Sequence, residues 1–216
     1  MYLPPIYPIT DTSLAGISHL EQTVRLVAGG SRFVQLREKN ATPRDFYSVA
    51  ESVVRIARKS GVRIIINDRV DIALAIKADG VHLGQHDLPP EHARKMLGPE
   101  AIIGFSTHSL EQAQHAMQLP VDYIAIGPIF PTSTKADPDA VVGLQGLAEV
   151  RDLIGSFPLV AIGGINEENL GSVFAAGADS AAVIGSILSN PKDISGQYAR
   201  LVRISVQDSD RESMDI

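Results

Sequence analysis

The chain of 216 residues has no cysteine. That excludes disulfides, thiolate catalysis and cysteine-ligated zinc or iron–sulfur centres. No apolar run reaches the roughly 18 residues that span a bilayer, and the first residues offer neither a basic stretch nor a long apolar one of the kind that directs secretion. No Gly/Ser/Pro-rich linker or shift in composition interrupts the chain before residue 203, which argues against a second domain. Excess positive charge is missing too. The formal charge of -6 speaks against general nucleic-acid binding, although an acidic protein still has room for a local basic pocket that holds an anion. The expectation is a cytoplasmic soluble protein with neither membrane nor nucleic acid as a partner; whether it forms a homo-oligomer stays open.

What is present is a rhythm. Short runs rich in Val and Ile at 6–9, 32–37, 63–67, 80–84, 101–106, 123–127, 158–163 and 180–184 read as strands buried on both faces. They alternate with helical patterns at 19–29, 43–59, 70–77, 89–97, 109–118, 144–154, 166–176 and 191–203. Thr42 before Pro43, Ser109 with Gln112, and Asn166 supply helix starts. Eight strand–helix units predict an α/β chain folded as a single (β/α)8 TIM barrel over residues 1–203, compact beside the usual length of about 250, with a frayed polar tail over 204–216. A doubly wound open sheet uses the same alternation but draws its site from only some of the loops. Here polar or glycine-rich clusters follow at least seven of the eight strands, which favours closure.

In such a barrel those clusters share one mouth. IGGI at 162–165 and VIGS at 183–186 follow the last two strands, where barrels often bind phosphate, so the main-chain N–H groups of Gly163, Gly164, Ile184, Gly185 and Ser186 are candidate phosphate donors. The alternative is a pair of tight turns. Arg37 and Lys39 sit two residues apart at the end of the second strand, so both can point at one anion; a surface ion pair with Glu38 or another carboxylate is the competing reading. Asp68, next to Asn67, and Asp87 end adjacent strands, as carboxylates do when a hard cation such as Mg2+ bridges a protein to a polyphosphate, but each also precedes a helix that it would cap. The loop GPIFPTSTK adds Thr132, Thr134 and Lys135, and Ser106 can hydrogen-bond a heterocycle or cap a turn. His82 reads as a hydrogen-bonded core residue; His19, His92 and His115 read as helix-surface positions, and His86 and His108 as residues of the mouth.

QLREK, INDR, GVHLGQ followed by Asp87, STH, GPIFPTSTK, AIGGI and the GAD-containing strand before Ile184, taken in that order over residues 35–186, resemble the thiamine phosphate synthase family. Its members are barrel enzymes that join the pyrimidine and thiazole halves of thiamine. The resemblance implies that Gln35, Arg37 and Lys39, with Asn67, Ser106 and Lys135, hold an aminomethylpyrimidine diphosphate, the run 35–39 including Leu36 and Glu38. It further implies that Asp68 and Asp87 bind Mg2+, that Thr132, Ser133 and Thr134 contact a thiazole phosphate, and that Gly164, Ile184 and Gly185 grip that phosphate through the backbone. His86 stands where the family usually has an acidic residue, and Gly185 where serine is common. The implied reaction needs no protein nucleophile. Diphosphate departs from the pyrimidine methylene, the ring stabilises the cation, the thiazole nitrogen attacks, and Arg37, Lys39 and Lys135 with Mg2+ stabilise the leaving charge. A thiazole tautomerase using His108 and a non-catalytic barrel that binds thiamine phosphates are the rivals; an intact charge set is more than either requires.

Overall fold

The computed structural model describes residues 3–132, 134 and 139–212. Eight parallel strands, β1 (Ile6–Thr10), β2 (Phe33–Leu36), β3 (Arg63–Asn67), β4 (Gly80–Leu83), β5 (Ile102–Thr107), β6 (Tyr123–Ile126), β7 (Leu159–Ile162) and β8 (Ser180–Val183), close into a barrel in sequence order. This is the TIM barrel the alternation predicts. β1 completes the circle by pairing with β8 through Ile6↔Ala181, Tyr7↔Ala182 and Pro8↔Val183. Between and after the strands lie α1 (Thr12–Ala15), α2 (His19–Ala28), α3 (Pro43–Lys59), α4 (Val70–Ile76), α5 (Pro90–Leu97), α6 (Leu110–Ala116), α7 (Gly143–Ile154), α8 (Leu170–Ala175), α9 (Gly185–Leu188) and α10 (Ile194–Glu212). Among the described residues no helix is long and apolar enough to cross a membrane.

Strand parity divides the interior in two. In β3, Ile64 and Ile66 belong to the core between strands and helices, whereas Ile65 joins Tyr7, Phe33, Ile102 and Tyr123 in the plug inside the barrel. Outside, α3 shows how a helix is fitted to its place. Thr42 accepts a hydrogen bond from the N–H of Asp45, Pro43 fills the first turn, and Phe46, Ala50, Val53, Val54 and Ala57 make one buried stripe.

Three expectations need correction. α1 and α9 are four-residue helices, too short to leave a period in the sequence, and they follow the two strands that close the barrel. α8 starts at Leu170 rather than at 166, because the Asn166 side chain accepts from the N–H groups of Glu168 and Asn169 and so caps the turn ahead of the helix. The last helix runs to Glu212, through most of the stretch expected to fray. Its buried stripe of Ile194, Tyr198 and Leu201 continues at helical spacing into Ser205, a polar residue that hides the pattern.

The lower end of the barrel is tied by a repeated device. Asp79, Asp122 and Asp179 immediately precede β4, β6 and β8, and each carboxylate accepts the first free N–H of the strand before it, from Ile64, Ile103 and Leu159, all at 2.7 Å. Arg94 of α5 reaches Asp122 at 2.7 Å, Arg151 of α7 reaches Asp179 at 2.5 Å, and both arginines also bind loop carbonyls. We expect Asp122→Ala, which strands both the Ile103 N–H and Arg94, to lower stability by about 1–3 kcal/mol while leaving ligand affinity at the upper end unchanged. Urea unfolding alongside ligand titration checks both halves.

Candidate functional site

At the other end the strand termini surround one cavity of about 1440 Å³. That is enough for two small molecules side by side. Its cationic wall comes from the end of β2. Leu36 is fully buried on the helix side and does not line the cavity, so only its main chain is on offer, while Gln35, Arg37 and Lys39 all face in. Arg37 is paired with Asp11, whose other oxygen accepts from the N–H groups of Ser13 (2.9 Å) and Leu14 (3.1 Å) at the start of α1. Glu38 pairs with neither Arg37 nor Lys39. Its carboxylate takes the Thr12 hydroxyl (2.9 Å) and the N–H groups of Asn40 (2.7 Å) and Ala41 (3.1 Å), and stands 3.3 Å from His19 Nε2. Burial alone would raise this carboxyl, but those donors together hold it below its ordinary value. Glu38 therefore shapes the loop that carries Arg37 and Lys39. His19, expected on a helix surface, is instead buried, with Nδ1 2.7 Å from Thr10 Oγ1, and burial lowers its pKa; His92 and His115 are exposed as expected.

Beside the cations stand the two carboxylates. Asp68 adopts a φ of 62°, a left-handed conformation that aspartate tolerates better than most residues, and its N–H donates to the His82 carbonyl at 2.8 Å. Lys39 Nζ lies 2.5 Å from its Oδ2. Asp87 accepts from the Gly84 N–H at 2.7 Å; burial raises its pKa, the charge of Asp68 raises it further, and Lys39 works against both. Neither residue caps a helix. α4 is entered through Arg69 and α5 through Pro89, without a side-chain cap bond at either. Among the described residues no group of three or more His, Asp or Glu gathers as a metal cage.

The opposite wall is lined by Gly163, Gly164, Ile184, Gly185 and Ser186, with Thr132 and Thr134 above them, their hydroxyls 3.3 Å apart. Gly163 and Gly164 have φ of 103° and 65°, and a Cβ at 164 would lie 2.7 Å from both Phe130 Cβ and the Pro131 carbonyl. Their glycine character therefore serves turn geometry and close packing against the loop after β6. At Gly185 a Cβ would meet only Thr134 Oγ1, at 3.8 Å. Ser133 and Lys135 lie outside the described residues.

The floor holds two residues that the sequence did not single out, Tyr7 and Tyr123. Gln35 Nε2 donates to Tyr7 Oη at 2.9 Å, Tyr7 and Tyr123 hydroxyls are 2.9 Å apart, Tyr123 Oη is 2.9 Å from His82 Nδ1, and His82 Nε2 is 2.8 Å from Ser106 Oγ. His82 is thus the hydrogen-bonded core histidine expected, and burial pushes its pKa down to about 4. Both tyrosine pKa values are raised by burial. At the rim, His108 Nδ1 is 2.6 Å from the Gly127 carbonyl and Nε2 is 3.5 Å from Asp139, while His86 is exposed.

Comparison with known proteins bears on the family and the fold. Residues 6–187 match the family model described as thiamine monophosphate synthase. A thiamine-phosphate synthase of Clostridium novyi is 48% identical over 200 residues, covering 92% of this chain and 97% of the relative. One from Syntrophomonas wolfei is also 48% identical, covering 92% and 95%. The solved structure of a thiamine phosphate pyrophosphorylase from Pyrococcus furiosus superposes with a TM-score of 0.84 at 35% identity, covering 94% of this chain and 96% of that one.

The two glycine sites should respond oppositely to substitution. Gly164→Ala is expected to lose about 1–3 kcal/mol of stability through overpacking and the unfavourable φ. Gly185→Ser should stay within about 0.5 kcal/mol of the parent. Thermal unfolding of the two variants reads the difference.

Proposed function

The chain belongs to the thiamine monophosphate synthase family and is an enzyme with thiamine-phosphate synthase activity, and we propose that it works by dissociative departure of diphosphate within the single cavity described above. The substrates are 4-amino-2-methyl-5-(diphosphooxymethyl)pyrimidine and 4-methyl-5-(2-phosphoethyl)thiazole or its carboxylated form. The methylene C–O bond breaks with its electron pair leaving on diphosphate. The aminopyrimidine ring delocalises the positive charge, and the thiazole nitrogen lone pair then forms the new C–N bond, giving thiamine phosphate; a carboxylated thiazole also loses carbon dioxide.

The observation that carries this reading is the polarity of the cavity. Arg37 and Lys39 stand beside Asp68 and Asp87 on one wall, and the glycine-lined turns after β7 and β8 form the other. The first wall suits a diphosphate and the second a monophosphate. Arg37, held by Asp11, offers a fixed fork; Lys39 offers a mobile charge for the leaving oxygens. Lys135, from the sequence motif, is proposed to join them, and Ser133 to join Thr132 and Thr134 at the thiazole phosphate. Gln35, Asn67 and Ser106 line the part of the cavity assigned to the pyrimidine ring.

Two adjacent hard carboxylates that are not helix caps, one with its pKa raised by burial and further by the charge of the other, form a donor set that fits a divalent cation. Asp68 and Asp87 would hold Mg2+, which commonly takes one or two carboxylates together with water and phosphate oxygens. When bound, it supplies positive charge against the diphosphate that the protein's own side chains only partly match.

Lys39→Met keeps the apolar stem and deletes the charge, so diphosphate release in single turnovers is expected to slow by about 10²–10³-fold while substrate affinity falls by less. Equal losses in both would show that Lys39 only binds. Asp68→Asn and Asp87→Asn should each abolish the Mg2+ dependence of turnover together with most activity. Wild-type turnover and Mg2+ response in both variants would remove the carboxylates from the metal site.

A further inference from the structure

The polar chain on the floor of the cavity has a direction. Gln35 Nε2 can only donate, so its 2.9 Å contact makes Tyr7 Oη an acceptor. Among the described residues Tyr123 Oη, 2.9 Å away, is the one remaining partner of Tyr7 Oη and so takes its proton, which leaves the Tyr123 proton for His82 Nδ1, also at 2.9 Å. A neutral imidazole that accepts at Nδ1 carries its proton on Nε2. That proton points at Ser106 Oγ, 2.8 Å away. Ser106 is therefore used as an acceptor by the protein, and among the described residues its own O–H has no protein acceptor. Ser106 lines the cavity, so the O–H is free to be donated there.

The packing holds this order in place. Tyr7, Gln35 and Tyr123 are almost wholly buried, and His82 stacks on Tyr123 with ring centroids 5.5 Å apart. A Cβ at Gly104 would sit 2.0 Å from Tyr123 Cζ and 2.5 Å from His82 Nδ1, so the middle of the chain requires glycine there. Almost wholly buried, the two hydroxyls keep the sense that the terminal donor gives them.

We propose that Gln35, Tyr7, Tyr123 and His82 are positioning residues that fix the polarity of Ser106, making its hydroxyl an obligate donor to a ring nitrogen of the pyrimidine. This rests on the reaction proposed above. A pyrimidine ring nitrogen accepts and an exocyclic amine donates, so a Ser106 of opposite polarity would select the amine instead. The chain thus chooses which edge of the heterocycle meets Ser106.

The test starts with the unmodified protein. With ¹⁵N-labelled histidine, NMR should find His82 protonated on Nε2 and bare on Nδ1. Protonation on Nδ1 would overturn the proposal whatever the enzyme's activity. Tyr123→Phe removes the donor to Nδ1, so the proton should move to Nδ1 and the Ser106 O–H should turn back toward Nε2. The KM for the pyrimidine diphosphate should then rise about tenfold, as expected for one lost hydrogen bond, with the KM for the thiazole phosphate unchanged. Ser106→Ala should give the same rise, and the double variant no more than either single one. Additive losses, or parallel rises in both KM values, would make Tyr123 a packing residue and overturn the assignment. Failure of the wild type to release diphosphate would instead count against the reaction, and the tautomer measurement would still judge the chain.

Discussion

Closure between β1 and β8 is the constraint on which the upper end of this molecule depends. The pairs Ile6↔Ala181, Tyr7↔Ala182 and Pro8↔Val183 bring the first strand against the last, and only then do α1 and α9 flank the same cavity. Arg37 is aimed by Asp11, which leaves the end of β1, and the glycine-lined wall is built after β7 and β8. The Tyr7–Tyr123 contact spans 116 residues of sequence and crosses the barrel interior. An open sheet would leave both tyrosines with half a partner set and would separate the two walls.

The two ends of the barrel divide their work. Below, aspartates before β4, β6 and β8 satisfy strand N–H groups, a use of carboxylates that fixes register and touches no ligand. Above, Asp11, Asp68 and Asp87 spend their oxygens on cations or on turns that shape the mouth. The same residue type thus serves stability at one end and charge at the other. Location relative to the strand, rather than composition, separates the roles.

That distinction also explains what the sequence disclosed. The alternation of apolar runs with helical periods was readable because parallel strands are short and continuously apolar, and the clusters after them were readable because loops carry function. The same continuity concealed Tyr7 and Tyr123. In IYPIT and YIAI every residue is buried, so nothing in the pattern says which positions face inward. His19 was concealed differently: it opens α2 as a polar residue, and only Glu38 and Thr10, brought over it by β1 and β2, make it interior. For Asp68 and Asp87 spacing left capping and metal binding open; the helices speak against capping, because they begin after Arg69 and Pro89 and bond neither carboxylate, and metal binding stands as the proposal.

The two cations of the wall proposed for the diphosphate differ in what they must give up. Arg37 and Asp11 are largely shielded, at 19% and 8% side-chain exposure, and Asp11 is anchored to α1, so breaking the pair would leave a buried carboxylate uncompensated. Lys39 is 51% exposed and its partner Asp68 21%. An exposed pair of this kind contributes only about 0–1 kcal/mol, so Lys39 can leave Asp68 at little cost. On the proposed reaction, Arg37 then acts as a preset site that already has its final geometry, whereas Lys39 moves from carboxylate to phosphate as charge develops. On the same proposal, its departure frees Asp68 for a cation, so anion binding and cation binding would reinforce each other across the same pair of residues.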